Sequence, residues 1–86
     1  MMNDHRTHSS HPGIAKRLKR AEGHLRSVIA MIDAGRPCAE IAQQLHAVEM
    51  AVLQAKRALI HDHIDHCLTG GPSHDIAEIK ALTRFL

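Results

Sequence analysis

The stretch 37–69, PCAEIAQQLHAVEMAVLQAKRALIHDHIDHCLT, decides the fold. Within it Ile41, Leu45, Val48, Val52, Ala55 and Leu59 recur at alternating steps of four and three. That is the period of one helical face, not the two-residue alternation of a strand. Pro37 suits the start of a helix, where no amide hydrogen is needed. No breaker follows until Gly70, Gly71 and Pro72. At ~1.5 Å per residue the helix is roughly 48 Å long, more than so small a globule can enclose. The period therefore predicts a long helical hairpin that pairs with a second copy as a four-helix bundle.

Working outward, the same period returns upstream. Ile14, Leu18, Ala21, Leu25, Val28 and Ile32 predict a first helix from Pro12 to Ala34, stopped by Gly35 and barred from continuing by Pro37. Downstream, Ser73 reads as the N-cap of a short third helix, with Asp75 and Glu78 in its first turn and Ile76, Ile79 and Leu82 facing inward. Residues 1–11 carry no apolar period and read as a flexible His-rich N-terminal arm, with His5, His8 and His11 three apart. Residues 12–86 then form a single helical domain. The fold class is all-α, a three-helix protomer made of a long antiparallel helical hairpin and a short C-terminal helix.

Composition agrees with this reading. The chain has one phenylalanine and no tryptophan or tyrosine, so its core must come from aliphatic side chains, which suits packed helices. A core this thin in 86 residues favours burial between subunits. Two cysteines make no disulfide scaffold, and nothing resembles a secretory signal or a membrane span. A cytoplasmic protein with reduced thiols is the expectation. The net charge of +2 says little about partners, but nine histidines are a marked excess.

Continuing the long-helix stripe past Leu59 at steps of four gives His63 and then Cys67. Two metal-ligating residues thus stand where leucines are expected, with Cβ atoms ~6 Å apart, a span one ion bridges. Cys38 lies in the first turn of the same helix, where the helix N-terminus favours the thiolate. It precedes His63 by 25 residues, about seven turns, so one straight helix keeps them apart. An antiparallel partner brings the start of one long helix beside the end of the other. The spacing therefore implies an intersubunit metal site of Cys38 from one chain with His63 and Cys67 from its neighbour. His61 and His66 point elsewhere and read as a solvated helix end.

The segment holding Lys16, Arg17, Lys19 and Arg20 surrounds the polar side of the first helix. In one helix this is a solubilising face. Repeated in a symmetric oligomer, it gathers charge able to follow a phosphate backbone, and Lys56 and Arg57 extend it. No helix-turn-helix, zinc finger or ribbon pattern is present.

Arg-Leu-Lys-Arg-Ala-Glu-Gly-His-Leu-Arg (17–26), Cys38 followed by Ile-Ala-Gln-Gln-Leu (41–45), and His63-x-x-x-Cys67 resemble the CsoR/RcnR family of metal-sensing repressors. The resemblance covers roughly Ala15 to Leu68. It implies an antiparallel four-helix-bundle dimer, then a homotetramer, that binds operator DNA when metal-free and releases it on binding metal, derepressing an efflux gene. Arg17 and Arg20 fall where the family places DNA-contacting residues. A Cys-His-Cys set alone resembles the Cu(I) sensors, and two thiolates with one imidazole suit a soft ion. A histidine from the arm as fourth ligand, here His5 or His8, resembles the Ni(II) and Co(II) sensors. Pro37 stands where copper sensors tend to carry tyrosine, which favours Ni(II) or Co(II) as the effector, with Cu(I) as the alternative. A formaldehyde-sensing branch is disfavoured by Met2 and Cys67, which stand where that branch has proline and an acid.

Two other classes compete. A metal-buffering or delivery protein would use the histidines directly and tolerate loss of Arg17 and Arg20. A structural dimerisation module would ignore metal. An enzyme is not expected, because no base or orienting carboxylate is suggested beside either thiol, and a bundle seam leaves little room for a substrate.

Overall fold

The computed structural model describes residues 11–70 and 76–86, with side chains described outside 67–75. Three helices follow in order: α1 His11–Asp33, α2 Cys38–Gly70 and α3 Ile76–Thr83. The first starts one residue before the expected Pro12. Ser73 and Asp75, expected to open the third helix, lie outside the described residues, as do His5 and His8.

The turn between α1 and α2 follows from two residues. Gly35 adopts φ 70°, the left-handed conformation that costs glycine little. There its amide donates to the Ile32 carbonyl at 3.0 Å and the Arg36 amide donates to the Met31 carbonyl at 3.0 Å, satisfying the end of α1 as a Schellman cap. Pro37 contributes a carbonyl that accepts from the amides of Glu40 and Ile41, so α2 begins at Cys38. Glu40 stands in that first turn and also pairs with Arg36 at 2.5 Å.

The hairpin is long and one helix thick. The chain extends over 55 × 30 × 14 Å with a radius of gyration of 17.0 Å, against about 12 Å for a compact domain of this length. A 14 Å thickness is close to the width of one helix with its side chains. Each helix can therefore bury only one line of residues within its own chain.

That line is narrower than the sequence stripe. Ile14, Ala21 and Val28 of α1 are buried, each seven residues from the next, together with Val48, Ala55 and Ile60 of α2. The other half of the same stripe stays exposed: Leu18, Leu25 and Ile32 on α1, and Leu45, Val52 and Leu59 on α2. A four-three alternation is two interleaved seven-residue rows, and the structure separates them into an inner and an outer seam. Ile29, 51% exposed, widens the outer one.

The third helix returns against the end of α2. Ile79 and Leu82 are partly covered, as expected, but Ile76 is 63% exposed and does not face inward. It stands at the N-terminal end of the helix. No helix among the described residues is long and apolar enough to cross a membrane.

Candidate functional site

The two halves of the expected metal set lie at opposite ends of α2. Cys38 is a free, exposed thiol at the helix N-terminus. Counting by sevens from it reaches Leu45, Val52 and Leu59, so the thiol opens the same row as the outer seam. His63 follows Leu59 by one turn and closes that row. It is largely covered, with 22% of its side chain exposed, and its Nε2 lies 3.4 Å from Oε1 of Glu78 on α3. Cys67 lies in α2 one turn further on.

Within one chain the structure does not bring Cys38 to His63: 25 intervening rises of the helix separate them by about 37 Å. Among the described residues, no three His, Cys, Asp or Glu side chains gather closely enough to hold an ion. The donor types nevertheless fit a soft, low-coordinate metal, since Cys38, His63 and Cys67 offer two thiols and an imidazole. The contact from His63 to Glu78 also ties the end of α2 to α3. Sequence reading placed Glu78 only in the first turn of the third helix. The return of α3 along α2, which creates the contact, has no local signal.

The cations divide into two sets. Arg26 pairs with Glu22 at 3.6 Å and Arg36 with Glu40. Lys16, Arg17, Lys19 and Arg20 are all exposed and have no acidic partner among the described residues, and the same holds for Lys56 and Arg57. The cause is the distribution of acids. None occurs between Asp4 and Glu22, or between Glu49 and Asp62. Antiparallel packing lays these two acid-free stretches side by side.

Between them runs a groove of about 370 Å³ lined by Arg17, Arg20, Ala21, His24, Ala51 and Gln54. Buried Ala21 gives it a shallow apolar floor. His24 is partly buried and fixed across the helices by a 2.7 Å hydrogen bond between its Nε2 and Oε1 of Gln44. Arg17 and Arg20 were singled out in the sequence; His24 and Gln54 were not. No local signal marks either residue, since which row of each stripe they flank depends on how the helices pack.

An acid-free basic face on a long helical hairpin, with Cys38 and His63 at the ends of an unburied apolar row, suits a metal-responsive, nucleic-acid-binding protein. Comparison with known proteins agrees. Residues 10–86 match the family described as metal-sensitive transcriptional repressor, and the chain belongs to that family. Its members are repressors, not enzymes. The chain is 36% identical over 74 residues to the copper-sensing transcriptional repressor RicR of Mycobacterium tuberculosis, a match covering 78% of this chain and 77% of that protein. It is 34% identical over 65 residues to the copper-sensing transcriptional repressor CsoR of Bacillus subtilis, covering 76% of this chain and 64% of that one. It is also 36% identical over 53 residues to CsoR of Mycobacterium ulcerans, covering 62% and 45% of the respective chains. No solved structure matches the chain.

Proposed function

We propose that this metal-sensing repressor responds to Cu(I), through a site shared between two antiparallel copies of the chain. The observation that supports it is the outer seam. Leu18, Leu25 and Ile32 with Leu45, Val52 and Leu59 form an apolar face that a single chain leaves in water, and burying it against a second copy is favourable at about 25 cal/mol per Å². Cys38 and His63 stand at opposite ends of that face on α2. Antiparallel pairing sets Cys38 of one subunit beside His63 and Cys67 of its partner, and a two-fold axis makes two such sites per dimer.

The relatives named as copper sensors favour Cu(I) over the Ni(II) or Co(II) expected from Pro37 and the arm histidines. The donor set agrees, because two thiolates and one imidazole complete a low-coordinate soft-metal site without His5 or His8. Bound there, the ion supplies a cross-link between subunits. The protein supplies the readout. Glu78 holds His63 from α3, so reorienting the imidazole toward a metal disturbs the contact between α2 and α3.

DNA binding uses the acid-free face carrying Lys16, Arg17, Lys19 and Arg20, and two dimers assembled as a tetramer multiply it. Metal and DNA must then be linked reciprocally: whatever factor the ion takes from DNA affinity, DNA takes from metal affinity. The site of action is the cytoplasm, where the thiols stay reduced.

Anaerobic fluorescence anisotropy on the DNA upstream of the gene tests the reading. Tight binding of the metal-free protein, reversed by Cu(I) and not by Ni(II) or Co(II), is expected. Reversal by Ni(II) or Co(II) alone would overturn the choice of metal, and absence of DNA binding would leave a metal-buffering protein.

A further inference from the structure

We propose that Glu49 and Lys56 of α2 form two reciprocal ion pairs across the subunit interface, and that this charge pattern fixes the antiparallel register in which Cys38 meets the partner's His63 and Cys67. The proposal rests on the shared-site reading and names the residues that align it.

His63 identifies the face. Ala42, Glu49, Lys56 and His63 follow one another at steps of seven along α2, a row directly beside the outer seam of Cys38, Leu45, Val52 and Leu59. A step of seven is nearly two full turns, so the row keeps one bearing to within about 20° per step. With His63 turned to the partner's Cys38, Lys56 and Glu49 face the partner as well. Both are exposed in the single chain. Lys56 has no acidic partner among the described residues. Glu49, with 74% of its side chain exposed, lies 3.5 Å from the equally open His46. The two charges stand about 10 Å apart along the helix axis, too far to pair within one chain. Lys56 is also separate from the groove between α1 and α2, whose α2 wall is Ala51 and Gln54.

Symmetry supplies the match. In the register that sets Cys38 beside the partner's His63 and Cys67, the two-fold axis passes close to Val52. Glu49 is three residues before Val52 and Lys56 is four after it. An antiparallel copy exchanges before and after, so Glu49 falls beside the partner's Lys56, and Lys56 beside the partner's Glu49. By the same exchange Leu45 meets the partner's Leu59, seven before against seven after. A parallel copy would instead set Glu49 against Glu49 and Lys56 against Lys56, two like-charge contacts at the edge of the apolar face. Charges flanking an apolar seam select the orientation of paired helices in this way. Glu49 is the single acid of α2 between Ile41 and His61, so its place on the His63 row decides the pattern by itself.

The test uses the full-length protein as wild type and with Glu49→Lys, Lys56→Glu or both, read by sedimentation equilibrium. Glutamate and lysine have similar helix propensities, so circular dichroism should show folded helices throughout. Each single substitution turns two attractions into two repulsions and is expected to raise the dimer dissociation constant about tenfold at low salt. The double exchange should return it to near the wild-type value. An equimolar mixture of the two single variants should form a heterodimer about as tight as wild type, because both of its pairs are again opposite in charge. That mixture should also hold two tight Cu(I) per dimer, at a concentration where each variant alone holds fewer. Salt at about 1 M, where the screening length is roughly 3 Å, should remove these differences.

Single substitutions without effect on dissociation, or a loss that neither the double exchange nor the mixture repairs, would overturn the ion pairs while a wild-type dimer sharing Cu(I) between subunits still stands. A wild-type protein that binds Cu(I) tightly as a monomer would overturn the shared-site reading itself.

Discussion

The inner and outer seams are built from the same residue types on the same two helices, yet only one is buried. Ile14, Ala21 and Val28 meet Val48 and Ala55 inside the hairpin, and Val28 is only 1% exposed. Leu18, Leu25 and Ile32 with Leu45, Val52 and Leu59 range from 38% to 56% exposed. The outer residues are on average the larger, since the inner row includes two alanines. The hairpin therefore closes on its small side chains and presents its large ones. In the proposed dimer a partner covers the outer row, so stability is expected to depend on protomer concentration.

This contrast can be broken most forcefully on the outer side. Val52→Glu places a charge in each half of the proposed subunit interface and should cost about 3 kcal/mol or more. That corresponds to at least a 100-fold rise in the dimer dissociation constant. Sedimentation velocity checks it, with helix content by circular dichroism falling together with the dimer. Cys38→Ala, at the head of the same row, should leave assembly and metal-free DNA binding intact but reduce the metal effect on DNA affinity, expected at about 5–150-fold, to none. On the inner side, Val28→Ala should cost about 2 kcal/mol in denaturant melts, for two methyl groups lost from a buried site. It should leave the dimer as the associating species. The turn is the mildest case. Gly35→Ala meets no atom within 4 Å of the new Cβ, so only the left-handed backbone at φ 70° opposes it. About 1 kcal/mol of destabilisation is expected.

Much of the hairpin could be read directly because its determinants are local. The four-three stripes mark both helices, and Gly35 with Pro37 fixes their junction to within a residue or two. The division of each stripe into inner and outer rows could not be read, because it depends on how each helix is rotated about its axis against the other. A four-three alternation is equally compatible with either row facing inward. The third helix shows the same limit: Ile76, Ile79 and Leu82 share a spacing, but only the contact with α2 decides that Ile76 remains in solvent.

The candidate site divides similarly. His63 and Cys67 stand out in the sequence because they continue an apolar stripe where leucines are expected, and Cys38 because it lies in the first turn of the same helix. Glu78 and the groove residues His24 and Gln54 do not, since each is an ordinary polar residue on a helix surface until a second helix is laid beside it. The contact between His63 and Glu78 spans 15 residues of chain. The hydrogen bond from His24 to Gln44 spans 20 residues.

The shared site can be tested directly by complementation. Cys38→Ala and His63→Ala proteins are each prepared, mixed, unfolded and refolded together, and Cu(I) binding is measured against a competing chelator. Each variant alone should lack the tight site. A mixed dimer has one site with both lesions and one with neither, so the mixture should recover one tight Cu(I) per heterodimer. If Cys38 and His63 served the same ion within one chain, neither half of the mixed dimer would be intact. A mixture as inactive as its components would then contradict the account.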